Sequence, residues 1–186
     1  MEQLLNLDYW LFEFIHIQCA NGLFDFVAPF FRNQYFWVPL YVFILIVMYQ
    51  RFGKEGLWWC VGFLVSFALA DFISASILKP MFGRVRPCVD PMWYGQIRHL
   101  VNASTSPGFP STHASNHFAL SAYMVVTLSR HFKKIALLAY IWAALVALAQ
   151  VYVGVHYPLD VTCGALLGIW IGYITGNYVN LRGLLS

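Results

Sequence analysis

Charge is scarce in this chain. Among 186 residues there are eleven Lys and Arg and eight Asp and Glu, 10% of the total, whereas 60% are apolar. A soluble domain carries roughly 25% charge, so a water-soluble globular protein is excluded. No run of basic residues exceeds the pair Lys133-Lys134, and the net charge of +3 is too small and too dispersed for nucleic acid binding, so no nucleic acid partner is expected. The four cysteines, Cys19, Cys60, Cys88 and Cys163, form no CxxC and no Cys/His pair at zinc spacing. Cys60 and Cys163 lie in apolar runs and read as packing residues. Cys19 is the only conceivable disulfide partner for Cys88, and no pattern supports that bridge. The N-terminus has neither a basic region ahead of its apolar residues nor a small-residue cleavage site, so no removed signal peptide is expected.

What the chain does have is apolar length. A bilayer crossing takes about 20 mostly apolar residues, so the chain allows five or six crossings and forms one membrane-embedded domain, 1–186, of all-α class. Residues 1–33 are interrupted by Asp8, Glu13, His16, Asn21 and Asp25 among crowded aromatics, the pattern of an amphipathic segment lying in the interface. Spans are predicted over Tyr35–Tyr49, Leu57–Leu78, Ser111–Leu128, Ile135–Tyr152 and Leu159–Tyr178. Lys79-Pro80 is taken to end the second, and a Pro- and Gly-rich polar stretch runs from there to Pro110.

Alternation of spans puts Arg51, Lys54, Arg130, Lys133, Lys134 and Arg182 on one face and Arg32, Lys79, Arg84, Arg86 and Arg98 on the other. Lys79, Arg84 and Arg86 form a site-like group. Setting them aside leaves six cations against two, which predicts that the 79–110 loop faces away from the cytoplasm. The expected location is the inner (cytoplasmic) membrane, multi-pass, with the site facing the periplasm or exterior. In the last span Gly164, Gly168, Gly172 and Gly176 recur every four residues. That small-residue face serves either packing within the chain or a homodimer seam.

Three polar clusters fall on the outer face. Lys79 to Pro87 brings three cations into nine residues, with Pro80, Gly83 and Pro87 restricting the backbone around them. Guanidinium forks and an ammonium point charge suit phosphate. Pro110-Ser111-Thr112-His113 opens the third span, where a Ser cap and free backbone N–H groups make an anion site. His113 and His117 have i, i+4 spacing, but no Glu completes a zinc-hydrolase pattern, so no metal is expected. In Gly154 to Asp160, Pro158 suits the first turn of the last span. This leaves His156 on the preceding loop, where Asp160 can accept one imidazole N–H and free the other nitrogen.

Taken together, Lys79-x6-Arg86-Pro87, Pro110-Ser111-x-His113 and His156-x3-Asp160 resemble the three-part signature of the type 2 phosphatidic acid phosphatase family, across about 80 residues. The resemblance implies a helical bundle shared with vanadium haloperoxidases and a cofactor-free membrane phosphatase acting on lipid phosphates or diphosphates. It implies His156 as nucleophile through a phosphohistidine, Asp160 as its orienting carboxylate and His113 as general acid. Lys79, Arg86, Ser111 and Thr112 would cradle the phosphate. Thr112 stands where the family has Gly. Ala149-Gln150 stands where it has Ser-Arg, so Gln150 occupies a phosphate-binding position without its charge, and Arg84 or Arg98 are the candidates to fill in. The expected partners are a membrane lipid phosphate and the bilayer. Undecaprenyl diphosphate is the first choice of substrate, with phosphatidate, phosphatidylglycerol phosphate and lipid A phosphates also compatible. A catalytically impaired lipid-phosphate binder or transporter is the alternative. Asp71, about 12 Å deeper than Lys79 at 1.5 Å per residue, is a further candidate for the substrate cavity.

Overall fold

In a computed structural model covering residues 2–102, 104–183 and 185, the chain is helical throughout, and no strand occurs among the described residues. Two short helices, α1 (Glu2–Glu13) and α2 (Gly22–Arg32), precede the long α3 (Val38–Asp71), the one-turn α4 (Lys79–Phe82), and then α5 (Thr112–Leu128), α6 (Ile135–Tyr152) and α7 (Pro158–Leu181). The helix α3 takes in most of both predicted early spans, Tyr35–Tyr49 and Leu57–Leu78. Gly53, at φ 58 and ψ −130, is the non-helical residue inside it. A Cβ on Gly56 would lie 2.0 Å from the Met48 carbonyl oxygen, although eight residues of continuous helix span about 12 Å. The chain therefore reverses at Gly53, and the arms of α3 run antiparallel as two crossings.

The second arm does not stop at Lys79-Pro80. It passes through a π-helical stretch, Phe72–Leu78, into α4, and ends at Gly83 in the left-handed conformation. Pro80 directly follows that π-helical stretch, where bonding passes from the wider π pattern into the last α turn and a residue without an N–H is accommodated. Lys79 thus stands on a rigid helix end instead of a loop.

The centre of the bundle is α5, most of whose residues are buried. Along it lies α7, with its glycines toward α5. A Cβ on Gly164, Gly168 or Gly172 would come within 2.4 Å of the carbonyl oxygens of Ser111, Ser115 and Ala119 respectively, and one on Gly176 would meet Val126 at 2.9 Å. That face is consumed within the chain, which removes the basis for a homodimer seam. Trp59, Phe63, Tyr123, Met124 and Val146 join α3, α5 and α6 in the main apolar core. Trp59 Nε1 donates to Thr127 Oγ1 at 2.8 Å, and Tyr123 Oη donates to the Trp59 carbonyl at 2.9 Å, so the buried polar tips are satisfied.

The N-terminal helices fold over the end of the bundle that carries the three motifs. Ala28 and Phe31 of α2 pack with Ala149, Tyr152 and Val153 at the end of α6. Asp8 of α1, 3% exposed, accepts from the Leu159 amide at 2.7 Å. All four cysteines are free thiols.

Candidate active site

His156 sits on the five-residue connection between α6 and α7, 1% exposed. Pro158 occupies the first turn of α7, and Asp160 accepts the Tyr157 amide through Oδ2 at 3.0 Å. This fixes the carboxylate below the imidazole: His156 Nδ1 lies 3.4 Å from Asp160 Oδ2, and Nε2 lies 3.1 Å from Arg86 Nη1. Arg86 can only donate, so Nε2 is the accepting nitrogen and the proton belongs on Nδ1, facing Asp160. Burial pushes the His156 pKa down to about 4. The Asp160 bond opposes that fall and the Arg86 charge adds to it. The ring is neutral at physiological pH, with its lone pair on Nε2, as a nitrogen nucleophile requires.

Arg86 is itself locked, donating to the Ser106 and Val155 carbonyl oxygens at 2.8 and 3.3 Å and to Ser106 Oγ at 3.2 Å. None of these partners is a carboxylate, so its full positive charge is available beside Nε2. Neither Lys79 nor Arg32 has a carboxylate within ion-pair distance among the described residues. His113, in the first turn of α5, has no hydrogen bond to its ring among the described residues. Ser111 caps α5, accepting from Ala114 N at 3.4 Å, and its own amide donates to the Asp160 carbonyl at 2.9 Å. That amide bond ties the start of α5 to the start of α7.

One cavity of about 810 Å³ brings Lys79, Arg86, Thr112, His113 and His156 together, and Asp71 and Arg32 line it too. Ser111, Gln150 and Asp160 do not line it. Ser111 is fully buried as a cap, Asp160 lies behind His156, and Gln150 meets the cavity only through Arg32, whose Nε donates to Gln150 Oε1 at 3.2 Å. Deeper in, Asn116 Nδ2 donates to Asp71 Oδ1 at 2.9 Å, and His117 Nδ1 donates to the His113 carbonyl at 2.9 Å. Buried oxygens of Thr112 and Asn116, and Nε2 of His117, have no hydrogen-bond partner among the described residues. Much of the remaining wall is apolar, including Val38, Val42, Leu45, Leu64 and Phe67 on the two arms of α3.

Neither arginine expected to replace the charge missing at position 150 does so. Arg84 donates to Asp160 Oδ1 at 2.7 Å and Asp8 Oδ2 at 2.5 Å and stacks on Tyr157, 4.4 Å from its ring centroid. Arg98 is committed to Asp25 and the His16 carbonyl and lies over Tyr152. Both are neutralised by carboxylates, which disqualifies them as anion receptors. Sequence reasoning missed Asp8 and Arg32 as parts of the site. Their only sequence signal is an acid placed in an apolar segment and a cation assigned to the same face as the motifs.

The architecture is that of a multi-pass membrane phosphatase, with apolar helices outside and histidine, carboxylate and uncompensated cations gathered at one end. A family model described as the PAP2 superfamily matches residues 59–183, and the chain belongs to that superfamily. Among its relatives is a lipid A 4'-phosphatase of Bacteroides thetaiotaomicron, 29% identical over 98% of this chain and 82% of its own length. Another is an undecaprenyl-diphosphatase of Sulfolobus acidocaldarius, 32% identical over 94% and 79%. The crystal structure of a transmembrane PAP2 type phosphatidylglycerolphosphate phosphatase from Bacillus subtilis superposes with a TM-score of 0.71 at 25% identity, covering 97% of this chain and 88% of that one.

Proposed function

We propose that this protein hydrolyses a lipid phosphate or diphosphate through a phosphohistidine on His156, with undecaprenyl diphosphate the first candidate. The observation that carries this reading is the single cavity that joins Lys79, Arg86, His113 and His156 to an apolar wall from α3. A polar end rich in cations suits a phosphate, and the apolar remainder suits an acyl or prenyl chain. Undecaprenyl-diphosphatase and lipid A 4'-phosphatase relatives support lipid phosphates as the substrate class.

In the proposed reaction, Nε2 of His156 attacks phosphorus while the bond from phosphorus to the leaving oxygen breaks, and His113 gives its proton to that oxygen. Water then attacks phosphorus as the phosphorus–nitrogen bond breaks and returns its electron pair to Nε2, His113 takes the water proton, and inorganic phosphate and free His156 result. Asp160 holds the Nδ1 proton through both steps and stabilises the imidazolium. Lys79 and Arg86 hold the non-bridging oxygens, whose charge is where phosphoryl transfer is stabilised. The Arg86 Nη1 that donates to Nε2 is already beside the position phosphorus takes. The cation distribution supports a site at the periplasmic or exterior face.

The test is phosphate release by purified protein from undecaprenyl diphosphate, lipid A, phosphatidylglycerol phosphate and phosphatidate, with and without EDTA. Release from at least one lipid, insensitive to EDTA and lost in His156→Ala, is the expected outcome. No release above the His156→Ala control with any of the four overturns the enzyme reading in favour of a lipid-phosphate binder.

A further inference from the structure

The cavity has one more cation than the motifs supply. Arg32 ends α2, a helix far from the motifs in sequence, yet it lines the same cavity as Lys79, Arg86, His113 and His156. Its place is built: Ala28 and Phe31 of α2 pack on Ala149 and Tyr152, and Gln150, fully buried, accepts from Arg32 Nε at 3.2 Å. An Nε bond of this kind orients the guanidinium and leaves both terminal nitrogens unspent. No other hydrogen bond to the Arg32 side chain occurs among the described residues, and no carboxylate pairs with it. Arg84 and Arg98, also partly buried, each have an acid.

We propose that Arg32, aimed by Gln150, is a phosphate-binding residue that takes over the charge position 150 lacks. The proposal rests on the phosphatase reading and extends it to a residue outside the three motifs. Two guanidinium groups and an ammonium line the cavity with one carboxylate, Asp71, itself bonded to Asn116; the excess positive charge is costly while partly desolvated, and a multiply charged phosphate supplies the missing counter-charge. Burial lowers the Arg86 pKa, and the nearby Arg32 charge lowers it further, the sign of two cations facing a common space. Gln suits position 150 because its amide oxygen accepts from a guanidinium, whereas a cation there would repel Arg32.

The experiment compares wild type, Arg32→Gln, Arg32→Lys, Gln150→Arg and the Arg32→Gln/Gln150→Arg double variant in phosphate release, inhibition by orthovanadate and Tm. Arg32→Gln is expected to lose about 10- to 100-fold in kcat/KM and in vanadate affinity, the range for one charge-assisted hydrogen bond, with Tm little changed. Arg32→Lys recovers part of that loss. Gln150→Arg alone gives no gain, but in the Arg32→Gln background it restores at least about tenfold. Activity and vanadate affinity within twofold of wild type in Arg32→Gln overturn the proposal. A loss that neither Lys nor Gln150→Arg relieves also overturns it, by showing that Arg32 only holds the fold. Should wild type release no phosphate, the phosphatase reading fails alone. Orthovanadate binding by calorimetry, wild type against Arg32→Gln, still decides whether Arg32 receives the anion: a tenfold weaker affinity supports it and an unchanged one overturns it.

Discussion

Arg84 Nη1 lies 2.7 Å from one oxygen of Asp160, whose other oxygen faces His156 Nδ1 at 3.4 Å. A motif cation therefore serves the carboxylate behind His156, and its other arm reaches Asp8 of the N-terminal helix at 2.5 Å. Contacts run from Asp8 through Arg84 and Asp160 to His156, so under the proposed reaction Arg84 acts by positioning. Arg84→Gln is expected to lower kcat by about 10- to 100-fold, the value of a charge-assisted bond, while KM stays within about twofold. Arg86→Gln, at the phosphate itself, should change both. Steady-state kinetics on one lipid substrate separate the two, and a KM increase of tenfold in Arg84→Gln would show direct phosphate contact instead.

His113 as the proton donor makes a different kind of prediction. With a lipid alcohol as leaving group, His113→Gln should cost about 10²- to 10⁴-fold in turnover. With p-nitrophenyl phosphate the leaving oxygen needs no proton, so the first step survives. Rapid mixing should then show a burst of nitrophenolate followed by slow turnover, because hydrolysis of the phosphohistidine still lacks its base. An equal loss of burst and turnover would remove His113 from the acid role.

Burial holds the folded His156 pKa at about 4, below its ordinary 6.5. The unfolded chain therefore binds more protons between those values, and stability falls as pH drops through that window and is full above it. The shift corresponds to about 3 kcal/mol. Tm of wild type should decline between pH 6.5 and 4 more steeply than that of His156→Gln, measured in the same detergent. Parallel curves for the two proteins would mean that His156 titrates normally.

The contact between α5 and α7 predicts the effect of adding volume at the glycines. A Cβ at Gly168 would fall 2.2 Å from the Ser115 carbonyl, and one at Gly172 2.2 Å from that of Ala119. Gly168→Leu or Gly172→Leu must push the helices apart, which carries the start of α7 and Asp160 away from Ser111. A destabilisation of at least about 2 kcal/mol, the scale of overpacking, and loss of activity are expected, with no change in oligomeric state by size-exclusion chromatography with light scattering.

Orientation is tested at Tyr94, 93% exposed in the loop that follows the first motif. In a cysteine-free background, Tyr94→Cys should react with a membrane-impermeant maleimide added outside intact cells. Reaction only after permeabilisation would place the site in the cytoplasm.

The residues proposed to carry the chemistry were legible because each motif is local. A Ser before a helix start, a Pro at the first turn of another, and a His four residues ahead of an Asp all have geometry set by neighbours in the chain. The helices followed from apolar length, as the match of α6 to Ile135–Tyr152 shows. The continuation past Pro80 was not legible, because a π-helical stretch that admits the proline is set by packing and not by residue type. Nor was the pairing of Arg84 with Asp8 or of Arg32 with Gln150, since those partners are 76 and 118 residues apart.

By itself, the sequence determined that this is a membrane-embedded helical protein whose few polar residues include a histidine four positions ahead of a carboxylate and a group of cations. Apolar run lengths and short-range backbone preferences carry that information. Only the tertiary structure decided which cations are free. An arginine's value to a phosphate depends on whether a carboxylate lies within about 4 Å of it, and folding brings Asp8 and Asp160 to Arg84, Asp25 to Arg98, and no acid among the described residues to Arg32, Lys79 or Arg86.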